Sequence, residues 1–412
     1  MSEEFKGFLR PRLRLYLSAD IVGSTAHKQN IVLHTEDYVR KSAAEGQQLK
    51  KFEALTPPWL SPITKFYKGI DRIFSEKWKR YHDQTAAKIG WPPGDPPELW
   101  KGVGDEIIYT KVLYDHRDAF ACVHIWCDTI RTYRNVLKRE FKTLDVKATA
   151  WIAGFPISNS EVIIRNQVGT VDPYDSGDDV FYNFYLLEKY YEGDENDKRG
   201  LTRDFVGPSI DTGFRLGTLS TPRKFTISLD LALLLVSVTP SVSIFSPLYV
   251  RYDGRQPLKG VLGGRPYPIF WVDMLHDDVV LDAEDKLAGP KTLSEEHIRH
   301  FCEKFLAEHE DYMIRPFIYE NIDPNFGVIP QIYRDRLRKL SDDWPNAKTH
   351  KEIEIKAIAN EAGPAPDPAK VEREASIPDF KVPQTSLPQT AAAPSPALKE
   401  ESLHVAAGET TA

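Results

Sequence analysis

The amino-acid sequence predicts a mixed α+β protein with one large globular body and a tail of different composition. Strand-like segments lie between segments whose apolar residues recur at helical spacing, and no internal repeat is present. From about Gly363 onward the chain is rich in Pro, Ala, Ser and Thr and poor in aromatic residues. That composition predicts a disordered tail, because it buries too little apolar surface to fold.

The overall composition is that of an ordinary soluble protein. Of the 412 residues, 41% are hydrophobic and 27% are charged, and the net charge of −7 has the wrong sign for a general nucleic-acid binder. The three cysteines show no disulfide framework and indicate a reducing compartment. The N-terminus has no apolar signal-peptide core, so we expect a cytoplasmic protein.

One uncharged stretch, residues 231–250, raises the question of a membrane span. It is interrupted by Pro240, Pro247 and several hydroxyl residues, and its purely apolar part, LALLLV, is short. The stretch therefore predicts a buried element of a globular domain.

Local patterns predict the first elements in chain order. Residues 13–19 alternate like a strand and continue through a Gly-Ser-Thr turn toward a helix. A long segment, from about 27 to 95, contains two helical stretches, residues 38–55 and 63–89. Thr56-Pro57-Pro58 separates these two stretches.

The middle of the chain begins with a hairpin signal. Residues 98–112 form two apolar runs joined by Gly-Val-Gly-Asp, in which both glycines permit positive φ. A helix at 116–141, a strand at 146–155 and an amphipathic helix at 180–191 are predicted next. Beyond them we expect, in order, a helix at 207–219 with Pro208 near its start, a strand and then a helix over 224–235, a strand at 267–274 and a helix at 293–313.

The first candidate site residue is Asp20, at the end of the first strand. Its carboxylate precedes Ile21-Val22-Gly23-Ser24-Thr25, a turn whose backbone N–H groups can face phosphate. Taken alone, Asp20 is better explained as a cap of the following turn or helix.

The second candidate is Asp105, in the turn of the predicted hairpin. A plain β-turn also explains it, since Gly and Asp are common turn residues. Two carboxylates at strand ends, however, form a hard oxygen site suited to Mg²⁺ or Mn²⁺. Glu106 is expected to point to the opposite face from Asp105 and is left out of the predicted site.

Three motifs in order carry a family resemblance. Ser-Ala-Asp-Ile-Val-Gly-Ser-Thr at 18–25, Lys-Gly-Val-Gly-Asp-Glu at 101–106 and Asp-Phe-Val-Gly-Pro-Ser-Ile-Asp-Thr-Gly-Phe-Arg-Leu at 204–216 resemble those of the class III nucleotidyl cyclases. The resemblance runs from about Leu13 to Val272, with large insertions. It implies a ferredoxin-like catalytic core and a homodimer whose active sites are shared between two chains.

The resemblance also implies a role for individual residues. Asp20, Asp105 and the backbone carbonyl of Ile21 match the groups that hold two divalent metal ions, Mn²⁺ or Mg²⁺. The other matches are Lys101 and Asp204 for reading the base, Arg215 for stabilising charge on the reacting phosphate, and Lys259, with Arg265 as the alternative, for gripping the terminal phosphates.

Two positions depart from the family pattern. Asp211 stands where the family usually has the asparagine that contacts the ribose, and Phe214 adds bulk where the family tends to be small. With the long insertion after the first strand, these features resemble the bacterial pyrimidine cyclases of the Pycsar antiphage system. That resemblance implies cyclisation of UTP, or of CTP, as an alarm signal that a separate effector detects.

The resemblance sets the expected domain organisation and its alternatives. We expect a catalytic domain at 1–290 with helical insertions at about 27–95 and 156–203, a helical extension at 291–345, and a polar linker and disordered tail at 346–412. An adenylate cyclase and a catalytically inactive nucleotide-binding sensor are the alternative functions. No nucleic-acid partner is expected.

Two further clusters have simpler explanations than metal binding. Cys122, His124 and Cys127 lie on a predicted helix without a second ligand pair, which favours a buried helix face. His297, His300 and Glu303 are explained as well by a solvated helix face. The aromatic run at 180–191 is predicted to pack in a core or a dimer interface rather than to line a pocket.

Overall fold

The computed structural model describes residues 5, 7–29, 56, 57, 59–91, 93–156, 158–166, 172–175, 177–238, 245–287, 294–319, 321 and 323–361. The chain divides into two units, residues 1–355 and 356–412. Of the second unit, the structure describes residues 356–361, which are the end of the last helix, Gln331–Glu361. The predicted helix at 38–55 and the predicted disordered tail from Gly363 lie outside the described residues.

The described residues form a large sheet and a small one. The strands are β1 (Arg12–Val22), β2 (Glu98–Val103), β3 (Glu106–Leu113), β4 (Asp145–Phe155), β5 (Ser160–Arg165), β6 (Leu201–Val206), β7 (Lys224–Ile227), β8 (Val250–Pro257) and β9 (Pro266–Asp273). The large sheet has the order β2-β3-β1-β4-β7-β9-β8, and β5 pairs with β6 separately.

The main helices are α1 (Ser24–Gln29), α2 (Leu60–Arg80), α3 (His116–Glu140), α4 (Asp179–Glu192), α5 (Pro208–Gly217), α6 (Leu229–Ser237), α7 (Val279–Leu287), α8 (Glu295–Glu308) and α9 (Gln331–Glu361). A π-helical segment, Tyr81–Ala86, continues α2 into Ala87–Ile89. Shorter helical turns lie at Gly7–Leu9, Glu195–Lys198, Leu262–Gly264 and Pro324–Gly327. None of the helices in the described part of the chain combines the length and apolar character that crossing a bilayer requires.

The strand order confirms the predicted α+β class with a ferredoxin-like core. In chain order, β1, α2, β2, β3, α3 and β4 form a β-α-β-β-α-β unit with sheet order β2-β3-β1-β4. Strand β1 is antiparallel to both β3 and β4. Strand β7 then adds parallel to β4, and β9 and β8 complete the sheet.

Strand β1 lies at the centre of two cores. The alternate side chains of Leu15 and Leu17 pack in a large core with Phe66 of α2 and Trp126 of α3. On the opposite face, Tyr16 packs in a smaller aromatic core. Because both faces of β1 are covered, the strand is buried nearly throughout, and its buried Arg14 lies 3.7 Å from the buried Glu161.

The predicted insertion at 156–203 is not purely helical, which corrects the sequence interpretation. Strand β5 lies within it and pairs with β6, and α4 covers part of this small sheet. The strand pattern is hidden because Glu161, a buried β5 residue, is charged and lies 3.7 Å from Arg14 and 3.8 Å from Arg203. Strand β8 was likewise not predicted.

The other corrections concern the C-terminal part of the body. Helix α9 runs through the expected boundary at 345/346, with Pro345 inside the helix. Its Trp344 is buried against Phe8 and Phe184. By contrast, the prediction that the uncharged stretch at 231–250 forms a buried element is confirmed for the part of helix α6 that lies in it, while residues 239–244 lie outside the described residues.

Helix α5 packs closely on the sheet because it carries a glycine at the contact. A Cβ on Gly213 would lie 2.2 Å from the ring of Trp151, which is buried in β4. At Gly217, the last residue of the same helix, a Cβ would be 3.5 Å from Thr149 Oγ1, an ordinary contact.

We predict that Gly213→Ala lowers the free energy of unfolding by about 1–3 kcal/mol, because an added methyl overpacks this site. Gly217→Ala is the matched control and should leave stability unchanged or raise it by up to about 1 kcal/mol, since alanine favours helix. Urea unfolding of both variants measures the difference. Equal stabilities would show that α5 does not pack as described.

Candidate active site

Asp20 lies in a row of charged residues that crosses three strands. The sheet register pairs Asp20 with Glu106 of β3 on one side and with Lys147 of β4 on the other. The Lys147 ammonium lies 3.2 Å from Asp20 Oδ2. Lys147 Nζ also donates to the carbonyl of Gly217 at 3.4 Å, so it links Asp20 to the C-terminal end of α5.

Asp105 is held beside the end of β1 by the turn in which it lies. Its backbone carbonyl accepts a hydrogen bond from Ile21 N–H at 3.3 Å. Its carboxylate accepts a hydrogen bond from Ser24 Oγ and lies 3.4 Å from Lys28 Nζ. Ser24 and Lys28 belong to α1, which follows β1 directly, so the short connection after Asp20 also fixes the second carboxylate.

The two carboxylates influence each other electrostatically. Burial raises the pKa of Asp20 above its ordinary value, the charge of Asp105 raises it further, and Lys147 opposes both effects. Burial likewise raises the pKa of Glu106, although a hydrogen bond from Ser18 Oγ to its Oε1 atom favours the charged form. The site therefore concentrates acidic groups where their ionised forms are costly.

Glu106 is the acidic neighbour that the sequence interpretation missed. Strand β3 begins at Glu106, and the register places this residue directly opposite Asp20. Glu106 was left out because only its orientation relative to Asp105 was considered. The first residue of a strand after a turn shares a face with its cross-strand partner, and that partner was not known from the sequence.

Asp20 and Asp105 supply carboxylate ligands for a divalent ion, and the other ligands would have to come from water and substrate. Mg²⁺ is commonly bound by one or two carboxylates and completed by waters and substrate phosphates, and Asp20 with Asp105 suits that mode. Within the described ranges, no group of three or more His, Cys, Asp and Glu side chains is arranged to hold a metal alone. The cation partners that the structure gives the two carboxylates are Lys147 and Lys28.

Lys101 and Asp204 form a second group, from β2 and β6. Lys101 Nζ lies 3.0 Å from Asp204 Oδ1, which also accepts hydrogen bonds from Trp100 Nε1 and Phe205 N–H at 2.9 Å each. Burial opposes ionisation of Asp204, but the hydrogen bonds from Lys101 and Phe205 outweigh it and lower the pKa of this carboxyl group. Asp204 is therefore a preorganised carboxylate.

Aromatic rings surround this Lys101–Asp204 pair. Lys101 Nζ lies 4.0 Å from the ring centroid of Trp100 and 5.9 Å from that of Phe214. Trp100 packs edge-on against Tyr16 and Phe205, both buried in the smaller core. The sequence interpretation did not single out Trp100, although its position next to Lys101 was a signal that an aromatic residue flanks the pair.

The remaining predicted residues lie on exposed surfaces. Asp211 and Arg215 are exposed and one helical turn apart on α5, so they share a face of this helix. Lys259 is exposed in the loop after β8, and Arg265 lies 5.1 Å from the Tyr312 ring. Among the described residues, no hydrogen bond or ion pair joins Arg215 or Lys259 to either group of predicted residues.

The two clusters for which metal binding was not favoured lie on helices α3 and α8. Cys122 and Cys127 are fully buried free thiols on α3, and burial raises the pKa of each. His124 contacts Ser246 at 3.0 Å. His297 and His300 are exposed on α8, and Glu303 pairs with Arg315 at 3.3 Å.

Several solved structures similar to this chain are cyclase domains. The adenylyl cyclase CyaB from P. aeruginosa has 15% identity and a TM-score of 0.36, over 64% of this chain and 94% of that one. The guanylate cyclase domain of RhGC from Catenaria anguillulae, solved with GTP, has 10% identity and a TM-score of 0.35, over 64% and 97%. The guanylyl cyclase Cya2 has 12% identity and a TM-score of 0.32, over 64% and 92%.

At these identities and TM-scores the likeness assigns no function, and the fold class rests on the strand order. No protein-family model matches this chain. No curated protein matches it significantly by sequence.

We predict that Asp20→Asn stabilises the fold at neutral pH. The pKa of Asp20 in the folded protein lies above its ordinary value of 3.8. The free energy of unfolding therefore falls as the pH rises from about 3.8 through the raised pKa, because Asp20 ionises less readily in the folded protein than in the unfolded chain. The variant should therefore unfold at a higher temperature than the parent at pH 7, and the difference should vanish near pH 3.

Asp145→Asn is the control with the opposite sign. Burial disfavours ionised Asp145, but Arg134 and Lys138 outweigh it and lower its pKa, so its stabilisation is present above the ordinary value and lost on acidification. This variant should melt at a lower temperature at pH 7. If Asp20→Asn also destabilises at pH 7, the electrostatic description of Asp20 is wrong.

Proposed function

We propose that this protein is a metal-dependent nucleotidyl cyclase that converts a nucleoside triphosphate to a 3′,5′-cyclic nucleotide and pyrophosphate. The observation that supports this most is the pairing of Asp20 and Asp105. The Ile21–Asp105 backbone hydrogen bond brings together two carboxylates that lie 85 positions apart in the sequence, and the charge of Asp105 raises the pKa of Asp20. A plain turn or cap residue needs no such partner.

In the proposed reaction, the ribose 3′-hydroxyl attacks the α-phosphorus, the bond to the β-phosphate oxygen breaks, and pyrophosphate leaves in line. Two Mg²⁺ or Mn²⁺ ions, when bound, would lower the pKa of the hydroxyl and neutralise the triphosphate. Asp20, Asp105 and the Ile21 carbonyl would hold them. Arg215 would direct a planar set of N–H donors at the charge that develops on the phosphate.

The other charged residues would orient the substrate. Lys259, with Arg265 as the alternative, would bind the terminal phosphates from the loops around β8 and β9. Lys147 would fix the orientation of the Asp20 carboxylate relative to the C-terminal end of α5 in the same chain, because it bonds both the Asp20 carboxylate and the carbonyl of Gly217. Positioning of this kind supplies much of the rate in phosphoryl chemistry.

The substrate we favour is a pyrimidine triphosphate, UTP before CTP. Asp204 Oδ1 already accepts three hydrogen bonds, so Oδ2 is the oxygen better placed to read a base. Uracil would donate N3–H to Asp204 and accept from Lys101 through O4, while cytosine would use its amino group and N3. Adenine offers a similar hydrogen-bonding edge. Discrimination against it would therefore come from the rings of Trp100 and Phe214, which would limit the width of the base site.

Asp211 would contact the ribose as a hydrogen-bond acceptor. Its carboxylate replaces an amide donor and adds negative charge near a polyanion. It can accept a hydrogen bond from a ribose hydroxyl but cannot donate one at neutral pH.

We propose that the working enzyme is a homodimer with shared sites, as the family resemblance implies. Lys101 and Asp204 bond each other within one chain, and no described hydrogen bond joins this pair to Asp20 or Asp105. In this arrangement one chain supplies Asp20 and Asp105, and the other supplies Lys101, Asp204 and Arg215. The cyclic nucleotide would act as an antiphage alarm signal in the cytoplasm, detected by a separate effector.

A nucleotide-binding sensor without catalysis is the second candidate. It is favoured by one observation: Lys147 and Lys28 pair with the two carboxylates that metal ions would need. A sensor would bind triphosphates through these lysines and release no pyrophosphate.

The decisive experiment gives the purified full-length protein UTP, CTP, ATP and GTP at equal concentration with Mn²⁺ and identifies products by mass. We expect cyclic UMP to dominate, because the rings of Trp100 and Phe214 would limit the width of the base site and polar readout by Lys101 and Asp204 would add discrimination. Dominant cyclic AMP would overturn the pyrimidine proposal and leave the cyclase standing. Binding without any cyclic product would favour the sensor.

In the same assay, Asp105→Asn should lower product formation by about a hundredfold or more, since the amide keeps the shape but loses an anionic metal ligand. Asp277→Asn, at a 91% exposed side chain, is the matched control and should retain the parent rate. Activity near the parent level in Asp105→Asn would remove the metal assignment.

Sharing of the site is tested by mixing two inactive variants, Asp20→Ala and Arg215→Ala. If one chain supplies Asp20 and the other Arg215, mixed dimers contain one intact site and recover up to about a quarter of the parent activity, the statistical expectation for random pairing. Exchange of labelled subunits must be demonstrated in parallel. No recovery despite exchange would assign both residues to the same chain.

A further inference from the structure

A cavity of about 630 Å³ lies between the catalytic core and the C-terminal extension. Its walls come from the start of β1, the end of β4, the first turn of α5, the loop at 260–263, the segment at 310–317 and the first turns of α9. This volume is within the range of sites that enclose small organic molecules. The extension had no assigned role in the sequence interpretation.

The cavity lies at the opposite end of β1 from the Asp20–Asp105 pair, although Asp211, the proposed ribose contact, lines it. Leu13 lines the cavity, while Asp20 lies seven residues further along the same strand, a separation of roughly 23 Å at the rise of a β-strand. Helix α5 connects the two regions: its first turn lines the cavity, and the carbonyl of its last residue, Gly217, accepts a hydrogen bond from Lys147 beside Asp20.

One half-buried carboxylate, Asp230, faces this cavity from the first turn of α6. It accepts hydrogen bonds from Ser228 Oγ and from the N–H of Leu231, both within its own turn. No cation among the described residues pairs with it. Tyr267, whose hydroxyl accepts from Leu229 N–H at 2.9 Å, adds a buried aromatic wall beside it.

The charge of the lining is predominantly acidic. Asp230, Asp211, Glu310 and Asp311 line the cavity together with Arg315 and Arg336. Arg315 is paired with Glu303, which does not line it. A carboxylate left without a counter-charge in an apolar and aromatic cavity selects a cation, because a ligand ammonium restores the lost solvation and also interacts favourably with ring faces.

We propose that this cavity binds a small organic cation, an amine carried on an aromatic or apolar body, with its charged group against Asp230. The ligand would contact the extension and the first turn of α5 at once. Since α5 also carries Arg215, occupancy would tie the extension to the helix that reaches the site beside Asp20. Binding itself does not depend on the proposed cyclase activity.

The test compares three probes that differ only in their terminal group: tyramine, its carboxylate counterpart 3-(4-hydroxyphenyl)propanoate, and neutral 4-ethylphenol. Calorimetry with the full-length protein at pH 7.5 should give the order tyramine, then ethylphenol, then the acid. We expect at least about a tenfold preference for tyramine over the acid, the value of one favourable charge interaction. An acid that binds as tightly as the amine would overturn the proposal, as would no binding of any probe at about 10 mM.

Asp230→Asn should weaken tyramine binding about tenfold and leave ethylphenol binding unchanged, which also shows that the variant is folded. Asp277→Asn removes the same charge outside the cavity and should change neither. Equal affinities of parent and Asp230→Asn for tyramine would remove Asp230 from the site. Competition between tyramine and UTP for one site would show that the cavity belongs to nucleotide binding and would overturn its separate role.

Discussion

The central constraint in this structure is the burial of strand β1. It is hydrogen-bonded along both edges and covered on both faces, so a charged residue is tolerated only where a counter-charge is buried with it, as Glu161 is with Arg14, or where the cover ends. Asp20 lies at that limit, partly exposed, and burial still raises its pKa. The same strand therefore provides a rigid backbone and a carboxylate whose charge is unfavourable without a cation.

The aromatic core under α5 connects this strand to the second polar group. Tyr16 of β1 stacks on Trp151 at 5.3 Å between centroids, and Trp100 packs on Tyr16 at 5.2 Å. Trp100 in turn donates its indole N–H to Asp204. The orientation of the Asp204 carboxylate thus depends on a chain of packed rings that begins at the centre of the sheet, which explains why the pair is preorganised.

Sequence patterns predicted most of the sheet and the turn that holds Asp105, because apolar periodicity and turn residues are local signals. The pairing of Lys101 with Asp204 was implied by the family resemblance alone. The sequence patterns failed where the decisive information was a partner distant in the chain. Strand β5 was hidden by Glu161, whose charge is satisfied by arginines from β1 and β6. Glu106 and Lys147 were missed because their role follows from sheet register, and Trp100 because its indole N–H bonds a residue 104 positions away.

The pairing of Asp20 with Lys147 and of Asp105 with Lys28 makes these lysines internal counterions. A divalent cation that occupied the two carboxylates would displace two ammonium groups, and these would then be available to a phosphate chain. Metal affinity and polyanion affinity would consequently be linked, each raising the other by the same factor. Such ion exchange keeps the net charge around the carboxylates nearly constant, so the protein need not hold strong uncompensated charge of either sign before its ligands arrive.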